Sequence, residues 1–67
     1  LHEAARQGRG AVARLLLEHQ ADLSAEDTVG KTPLHYAALH RQDEVAGILL
    51  QHHADVSAQD TSGATPL

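Results

Sequence analysis

Apolar residues recur along the chain with the spacing of helix faces. Leu34, Ala37 and Ala38 stand at positions i, i+3 and i+4, which places them on one narrow face of a helix. After a polar break, the apolar face of a second helix is formed by Val45, Ile48 and Leu49, and in the first half of the chain by Val12, Leu15 and Leu16. The pattern therefore predicts pairs of short amphipathic helices.

The residues around Thr32 predict where one of these helices begins. Threonine is a favoured N-cap, and Pro33 suits the first helical position because its missing N–H would have no helical acceptor there. His35 stands three residues after the cap, where its ring can reach back to the Thr32 hydroxyl or the nearby backbone. We expect this helix to end near His40–Arg41.

A polar turn segment follows each second helix. Residues 27–30 read Asp-Thr-Val-Gly, with glycine at the last position as a β-turn prefers, and residues 60–63 read Asp-Thr-Ser-Gly. The unit is therefore helix, short loop, helix and extended turn. One helix pair cannot cover its own apolar faces, whereas neighbours stacked at a fixed rotation can.

The two halves of the chain are copies of one unit. Aligning residues 1–34 with residues 34–67, an offset of 33, gives 19 identities in 34 pairs. Differences such as Leu15 against Ile48 and Leu23 against Val56 keep the apolar character. Agreement of this extent indicates a repeat array.

This unit resembles the ankyrin repeat. The matching motifs are Thr32-Pro33-Leu34-His35-x-Ala37-Ala38, Val45-x-x-Ile48-Leu49-Leu50, Ala54-Asp55-Val56 and Asp60-x-x-Gly63-x-Thr65-Pro66-Leu67. The resemblance covers the whole chain and implies an all-α ankyrin-repeat solenoid, a fragment of about two repeats. It predicts a repeat without its Thr-Pro cap at residues 1–31, a complete repeat at 32–64, and the start of a further repeat at 65–67.

The chain departs from the family pattern at its helix ends. The family usually has glycine after the first helix, and Gly8 conforms whereas Arg41 does not, so we expect strained left-handed backbone at Arg41. Gln20 and His53 stand where glycine usually follows the second helix. Neither end has a polar capping repeat, so we expect a piece of a longer array whose apolar ends pair end to end with another copy or leave it unfolded.

Composition and charge limit the expected cellular locations and partner classes. The chain has no cysteine, so it has no disulfide framework, and an intracellular location in cytoplasm or nucleus is expected. No apolar run approaches the roughly 20 residues of a membrane span, so no membrane partner is expected. The net charge is −4, and the arginines of residues 1–20 are interpreted as a solvated helix face. Nucleic acid is therefore not an expected partner.

No group of residues predicts catalysis, a cofactor or a metal site. Four of the six histidines recur at the repeat period, which assigns them to the repeat, while His40 and His53 do not. Adjacent side chains at His52–His53 diverge, whereas zinc needs converging ligands. The serines and threonines lie at turns and caps without an adjacent base. We therefore expect neither an enzyme nor a cofactor-binding protein.

The ankyrin resemblance implies a partner-binding surface on the turn tips and the exposed side of the first helix. The tip positions are Glu26, Thr28, Val29 and Lys31, with Gln59, Thr61, Ser62 and Ala64 one repeat later. The helix positions are Tyr36, Leu39 and His40, with Glu3, Arg6 and Gln7 one repeat earlier. The two repeats differ most within this set, as expected if surface residues vary more freely than scaffold residues. The differing pairs are Glu3/Tyr36, Arg6/Leu39, Gln7/His40, Val29/Ser62 and Lys31/Ala64.

Two interpretations of the apolar residues in this set stay open. Val29, Tyr36, Leu39 and His40 form an interface patch if they are exposed, because exposed apolar and aromatic side chains often anchor binding. Alternatively, Tyr36 and Leu39 pack against the neighbouring repeat, since a leucine on a helix usually belongs to a core.

Two functional hypotheses follow. The first is a protein-interaction module that binds a protein or peptide partner. The second is a structural spacer inside a larger multidomain protein, such as a channel, an enzyme or a ligase adaptor, with no partner at this segment. The acidic turns could favour a basic partner, although Asp27 and Asp60 first serve turn geometry.

Overall fold

The computed structural model describes residues 1–66, and these form four helices in two pairs. The helices are α1 (His2–Gln7), α2 (Gly10–Glu18), α3 (Pro33–Leu39) and α4 (Asp43–Gln51). Contacts join α1 to α2 and α3 to α4 within the pairs, and α1 to α3 and α2 to α4 between them. The two pairs therefore stack as successive layers, and the prediction of an all-α array of helix pairs is confirmed for the described residues.

The predicted period is visible in the helix boundaries. The second helices, Gly10–Glu18 and Asp43–Gln51, begin and end 33 residues apart. The first helices differ at their start, because α1 lacks the Thr-Pro cap that begins α3. We call α1, α2 and the turn after them the first repeat, and α3, α4 and their turn the second. The repeat boundaries at residues 31 and 64 stay a prediction, and Leu67 lies outside the described residues.

The cap predicted for α3 forms as expected. The Thr32 hydroxyl oxygen accepts a hydrogen bond from the His35 backbone N–H at 3.4 Å, and the Thr32 N–H donates to His35 Nδ1 at 3.1 Å. Both residues are buried, so each bond satisfies a polar group that has no access to water. Pro33 occupies the first turn, where no N–H is needed.

Both kinds of helix end hold a left-handed residue. After the first helices these are Gly8 (φ 71°) and Arg41 (φ 57°), as expected from the register. After the second helices they are Gln20 (φ 66°) and His53 (φ 70°). Three of the four positions therefore carry a side chain in a backbone conformation that favours glycine.

The core is one apolar cluster shared by both repeats and built from small side chains. Leu34, Val45 and Leu49 are its largest fully buried apolar residues, and alanines of all the helix pairs fill the space between them. Small residues allow the helices to approach closely, which fits a chain with a single aromatic residue.

Two of the three residues predicted on the apolar face of α2 are exposed in the part of the chain that the structure describes. Val12 and Leu15, predicted on the apolar face of α2, are exposed, whereas their counterparts Val45 and Ile48 are buried. The difference arises because α4 packs on α2, while no helix of the described chain packs on the corresponding side of α2. In the first repeat the buried apolar side chains of α2 are Ala13 and Leu17.

Candidate functional site

The turn segment of each repeat is ordered by one aspartate. Asp27 Oδ1 accepts hydrogen bonds from the backbone N–H groups of Val29 at 3.0 Å and Lys31 at 2.9 Å. Asp60 Oδ1 accepts in the same way from Ser62 and Ala64, at 2.9 Å each. These bonds fix the turn tips, and confirm the turn-forming role expected of both aspartates.

A second set of bonds ties one turn to the next. The Thr61 N–H donates to the Val29 carbonyl at 3.0 Å, and the Lys31 ammonium donates to Asp60 Oδ2 at 2.6 Å. The Lys31 ammonium, with further bonds from Ser62 and Ala64, holds the pKa of the Asp60 carboxyl far below its usual range. The same pairing raises the pKa of Lys31. Lys31, predicted as a partner-contacting tip residue, therefore already has an acceptor within the chain.

Tyr36 is fixed between the two repeats. Its hydroxyl donates to Asp27 Oδ2, and its ring meets the His2 ring edge-on, with the centroids 5.7 Å apart. The hydroxyl bond is the main cause that lowers the pKa of Asp27, and it raises the pKa of Tyr36. The half-buried Tyr36 thus packs against the neighbouring repeat, as the second interpretation of the sequence proposed.

The histidines of the first helices tie helix to turn. His2 Nε2 donates to the Lys31 carbonyl oxygen, and His35 Nε2 donates to that of Ala64, each at 2.9 Å. Since a carbonyl oxygen only accepts, the Nε2 atom carries the proton in both rings. The two bonds are equivalent in the repeat register, so these histidines position the turn beside the helix.

A cleft of about 300 Å³ lies between α1 and the first turn. It is lined by His2, Glu3, Arg6, Asp27 and Tyr36. Arg6 forms a two-pronged ion pair with Glu3, at 2.6 and 2.8 Å, and Gln7 also donates to Glu3. The charges of Arg6 and Glu3, at the edge of the cleft, are therefore already paired with each other within the chain.

Leu39 lies at the end of α3, and most of its side chain is exposed to solvent. It is 64% exposed, the largest value among the large apolar residues that the structure describes as exposed. It borders a second cleft of about 170 Å³, together with Lys31, His35 and Ala64. Within residues 1–66, Leu39 is not part of the core, as the alternative interpretation had expected.

The remaining predicted residues divide between two sides of the molecule. Val29, His40, Thr28, Thr61, Ser62 and Ala64 are exposed, and Ala64 borders the same cleft as Leu39. Glu26 lies apart, in a separate crevice of about 130 Å³ with Leu23, Ala54 and Asp55. The ankyrin resemblance grouped Glu26 with the other tip residues, whereas the structure places it in this separate crevice.

Sequence reasoning missed the side-chain bonds of Asp27 and Asp60. Both aspartates use one carboxylate oxygen for their own turn and offer the other to a neighbour. The accepting aspartate recurs at the repeat period, so the sequence could have identified the acceptor of each bond. The donors do not recur, since Tyr36 comes from a helix and Lys31 from a turn, so no spacing rule identifies them.

Residues 1–66 contain neither a membrane-spanning helix nor a grouped set of metal ligands. No helix in this part of the chain is long and apolar enough to cross a membrane. Within the same residues, no three or more histidine, aspartate or glutamate side chains are grouped as metal ligands.

Comparison with known proteins identifies the family. A family model described as ankyrin repeats (3 copies) matches residues 1–60. Neurogenic locus notch homolog protein 1 of Xenopus laevis is 51% identical over 35 residues, which is 52% of this chain and 1% of the Notch homologue. Ankyrin repeats are generally protein–protein interaction modules, and the family is typically non-enzymatic. Because the family model spans most of its length, the chain belongs to the ankyrin repeat family.

Proposed function

We propose that this chain recognises a protein or peptide partner through the face formed by Val29, Tyr36, Leu39 and His40, here called the recognition face. The exposure of Leu39 is the observation that carries the proposal. A large apolar side chain left in water is unfavourable, and such residues on protein surfaces commonly anchor partners.

The repeat register supports this assignment of Leu39. Its counterpart Arg6 has the second repeat stacked beside it and is still half exposed. Leu39 has the first repeat stacked beside it and is exposed as well. With the neighbouring repeat in place, at least half of the side chain at this register position is exposed in both repeats, which supports an accessible Leu39.

The recognition face offers an anchor within a polar rim. Leu39 supplies the apolar contact, and the matched charges of Glu3 and Arg6 lie beside it one repeat earlier. Interfaces commonly combine a desolvated apolar centre with polar surroundings. We therefore infer that the partner inserts an apolar side chain beside Leu39 and places polar groups over the first repeat.

The face is also rigid before binding. Tyr36 is fixed by Asp27 and His2, and the tip that carries Val29 is fixed by bonds to Asp27 and Thr61. A preorganised surface loses less conformational entropy when a partner binds. The Asp27 and Asp60 carboxylates already accept hydrogen bonds from Tyr36 and Lys31. We therefore infer that apolar contact, and not attraction to a basic partner, dominates selectivity.

The test separates recognition from the spacer alternative. Peptides selected from a random library against the native chain are measured against Leu39→Ser and against Arg14→Ser, an exposed change on α2 away from the recognition face. We expect Leu39→Ser to weaken binding about tenfold or more, with helicity and melting unchanged, and Arg14→Ser to have no effect. Failure to select binders, or equal affinity for all three proteins, would support a spacer.

A further inference from the structure

A crevice of about 130 Å³ lies at the junction between the two repeats and shares no lining residue with the recognition face. The first repeat contributes one wall and the second repeat the other. The lining residues are Leu23, Ser24, Glu26 and Thr32 from the first, and Ala54, Asp55 and Ala58 from the second. Both walls therefore belong to the junction inside the chain. We call this space the junction crevice.

Three apolar side chains form the hydrophobic part of the junction crevice. Leu23 and Ala54 are half-buried and pack against the core cluster, and Ala58 is half-buried as well. The two alanines are small, so they leave space between the walls that larger side chains would fill. Apolar surface that remains in contact with water favours an aliphatic group on whatever enters this space.

Two carboxylates supply the charge of the junction crevice, Glu26 from the first repeat and Asp55 from the second. Both residues are exposed, and among residues 1–66 neither forms an ion pair. Within the same residues Glu26 accepts no hydrogen bond, whereas Asp55 accepts one from the Ser57 N–H at 2.8 Å. Unlike the aspartates of the two turns, these carboxylates therefore keep most of their acceptor positions free.

The chain supplies no positive charge to balance these carboxylates. No lysine or arginine lines the junction crevice, and residues 42–67 contain neither. Lys31, the nearest lysine or arginine to Glu26 in the sequence, donates to Asp60 at 2.6 Å. The negative charge at the junction crevice is therefore uncompensated and attracts a cation from outside the chain.

We propose that the junction crevice binds a lysine side chain presented by a basic protein segment. Pockets for whole small-molecule ligands commonly hold about 300–1,000 Å³, so a space of about 130 Å³ suits a single side chain. Lysine combines an aliphatic stem, which contacts the apolar walls, with a compact ammonium group. Its three donors can be shared between carboxylates of two separate segments, whereas the rigid fork of arginine suits a single carboxylate.

Both walls of the junction crevice are held in place by local hydrogen bonds. In the first repeat, Asp22 Oδ1 accepts from the Ser24 N–H at 2.9 Å and from the Ser24 hydroxyl at 2.8 Å. In the second repeat, the bond from the Ser57 N–H to Asp55 orders the equivalent segment. A lysine side chain therefore enters a space that is already formed, and little conformational entropy of the walls is lost.

Titration of the isotope-labelled chain with the peptide acetyl-Ala-Ala-Lys-Ala-Ala-amide, followed by NMR, tests the proposal. Lysine is the only charged group of this peptide, and the amide signals of Ser24, Glu26 and Asp55 should shift and saturate at millimolar concentrations. The same peptide with norleucine keeps the aliphatic stem without the ammonium and should give no saturable shift. Absence of saturable shifts with the lysine peptide overturns the proposal, as does equal binding of the norleucine peptide.

Glu26→Gln tests the charge of the junction crevice. Gln59 stands at the equivalent position of the second repeat, so the fold should be retained. The variant should weaken binding of the lysine peptide about threefold. Glu18→Gln is the matched control, because it removes an exposed glutamate of α2 outside the crevice, and it should leave the affinity unchanged. Equal losses in both variants would assign the attraction to the net charge of the chain and overturn the proposal.

Leu39→Ser separates the junction crevice from the recognition face. Leu39 does not line the crevice, so this variant should bind the lysine peptide as tightly as the native chain does. Loss of lysine-peptide binding in Leu39→Ser would place the peptide on the recognition face and contradict a separate lysine site.

Discussion

Arg41 holds a left-handed backbone conformation with φ 57°, and its register counterpart is Gly8. A side chain costs about 1–2 kcal/mol in this conformation because its Cβ approaches the following carbonyl oxygen. The Arg41 N–H nevertheless donates to the Ala38 carbonyl at 3.2 Å, and Gln42 N–H donates to Ala37 at 2.8 Å. These closing bonds of α3 hold the strained residue in place.

Arg41→Gly should stabilise the chain by about 1 kcal/mol, because it removes the Cβ strain and keeps the closing bonds. In a chain of this size that corresponds to a rise in melting temperature of about 4–8 °C, measured by circular dichroism. Arg41→Ala removes the same charge but keeps Cβ, and should give little or none of the gain. Equal gains in both variants would assign the effect to charge and contradict the strain.

The hydrogen bonds of Tyr36 and Lys31 predict the pH range of stability. Asp27 and Asp60 have depressed pKa values in the folded chain. Their contribution to folding stability is therefore fully present above the unfolded pKa of about 3.9 and is lost as pH falls through their folded pKa values. Tyr36 and Lys31 have raised pKa values in the folded chain. Their contribution to folding stability is therefore fully present below about pH 10 and is lost as pH rises through their folded pKa values.

Lys31→Met should weaken the pH dependence of stability on the acid side, because without the ammonium the pKa of Asp60 rises toward its ordinary value. Urea unfolding at a series of pH values should show a smaller loss of stability between about pH 5 and pH 2 than in the native chain, and lower stability at neutral pH. Arg14→Met, which removes an exposed positive charge from α2, is the control. An unchanged pH profile in Lys31→Met would show that the ion pair does not stabilise the fold.

At the scale of elements, the two turns stack in direct contact. Gly30 is buried at this contact, and a Cβ placed there would lie 3.0 Å from the Thr61 nitrogen and 3.2 Å from Asp60 Cα. Gly63, its counterpart, has a similar φ of 84°, and among residues 1–66 no atom beyond its chain neighbours lies within 4 Å of such a Cβ. The two glycines share a conformation and differ only in the neighbour.

Gly30→Ala and Gly63→Ala therefore separate conformational strain from stacking. Both should lose stability, by about 1–2 kcal/mol where the turn stays folded, because alanine is strained at positive φ. Gly30→Ala should lose more, since backbone atoms of the next turn must move away. Chemical denaturation of both variants measures the difference, and equal losses would mean that the turn contact is loose.

The sequence predicted the elements well because their signals are local. The Thr32 cap, the His35 return bond and the left-handed Arg41 depend on neighbours within a few residues, and all are found as expected. Burial of Val12 and Leu15 depends on what stands beside α2, which no periodicity within α2 specifies. The bonds of Tyr36 and Lys31 join positions at which the two repeats differ, so the register could not predict them.

At the scale of the whole molecule, the residues that hold the scaffold differ from those we propose for recognition. The apolar cluster, the caps and the turn aspartates hold two repeats in register, while Leu39 and Val29 contribute exposed surface. A change at Leu39 should therefore alter binding without altering the fold, which is the property expected of an interaction module and not of a spacer.

Site-specific photo-crosslinking in cells that produce the protein tests this claim most directly. A benzophenone amino acid is placed at position 39 in one sample and at position 14, on the exposed side of α2, in another. We predict a discrete adduct with a partner protein from position 39 that is absent from position 14. Adducts from neither position, or the same adducts from both, would contradict a recognition face centred on Leu39.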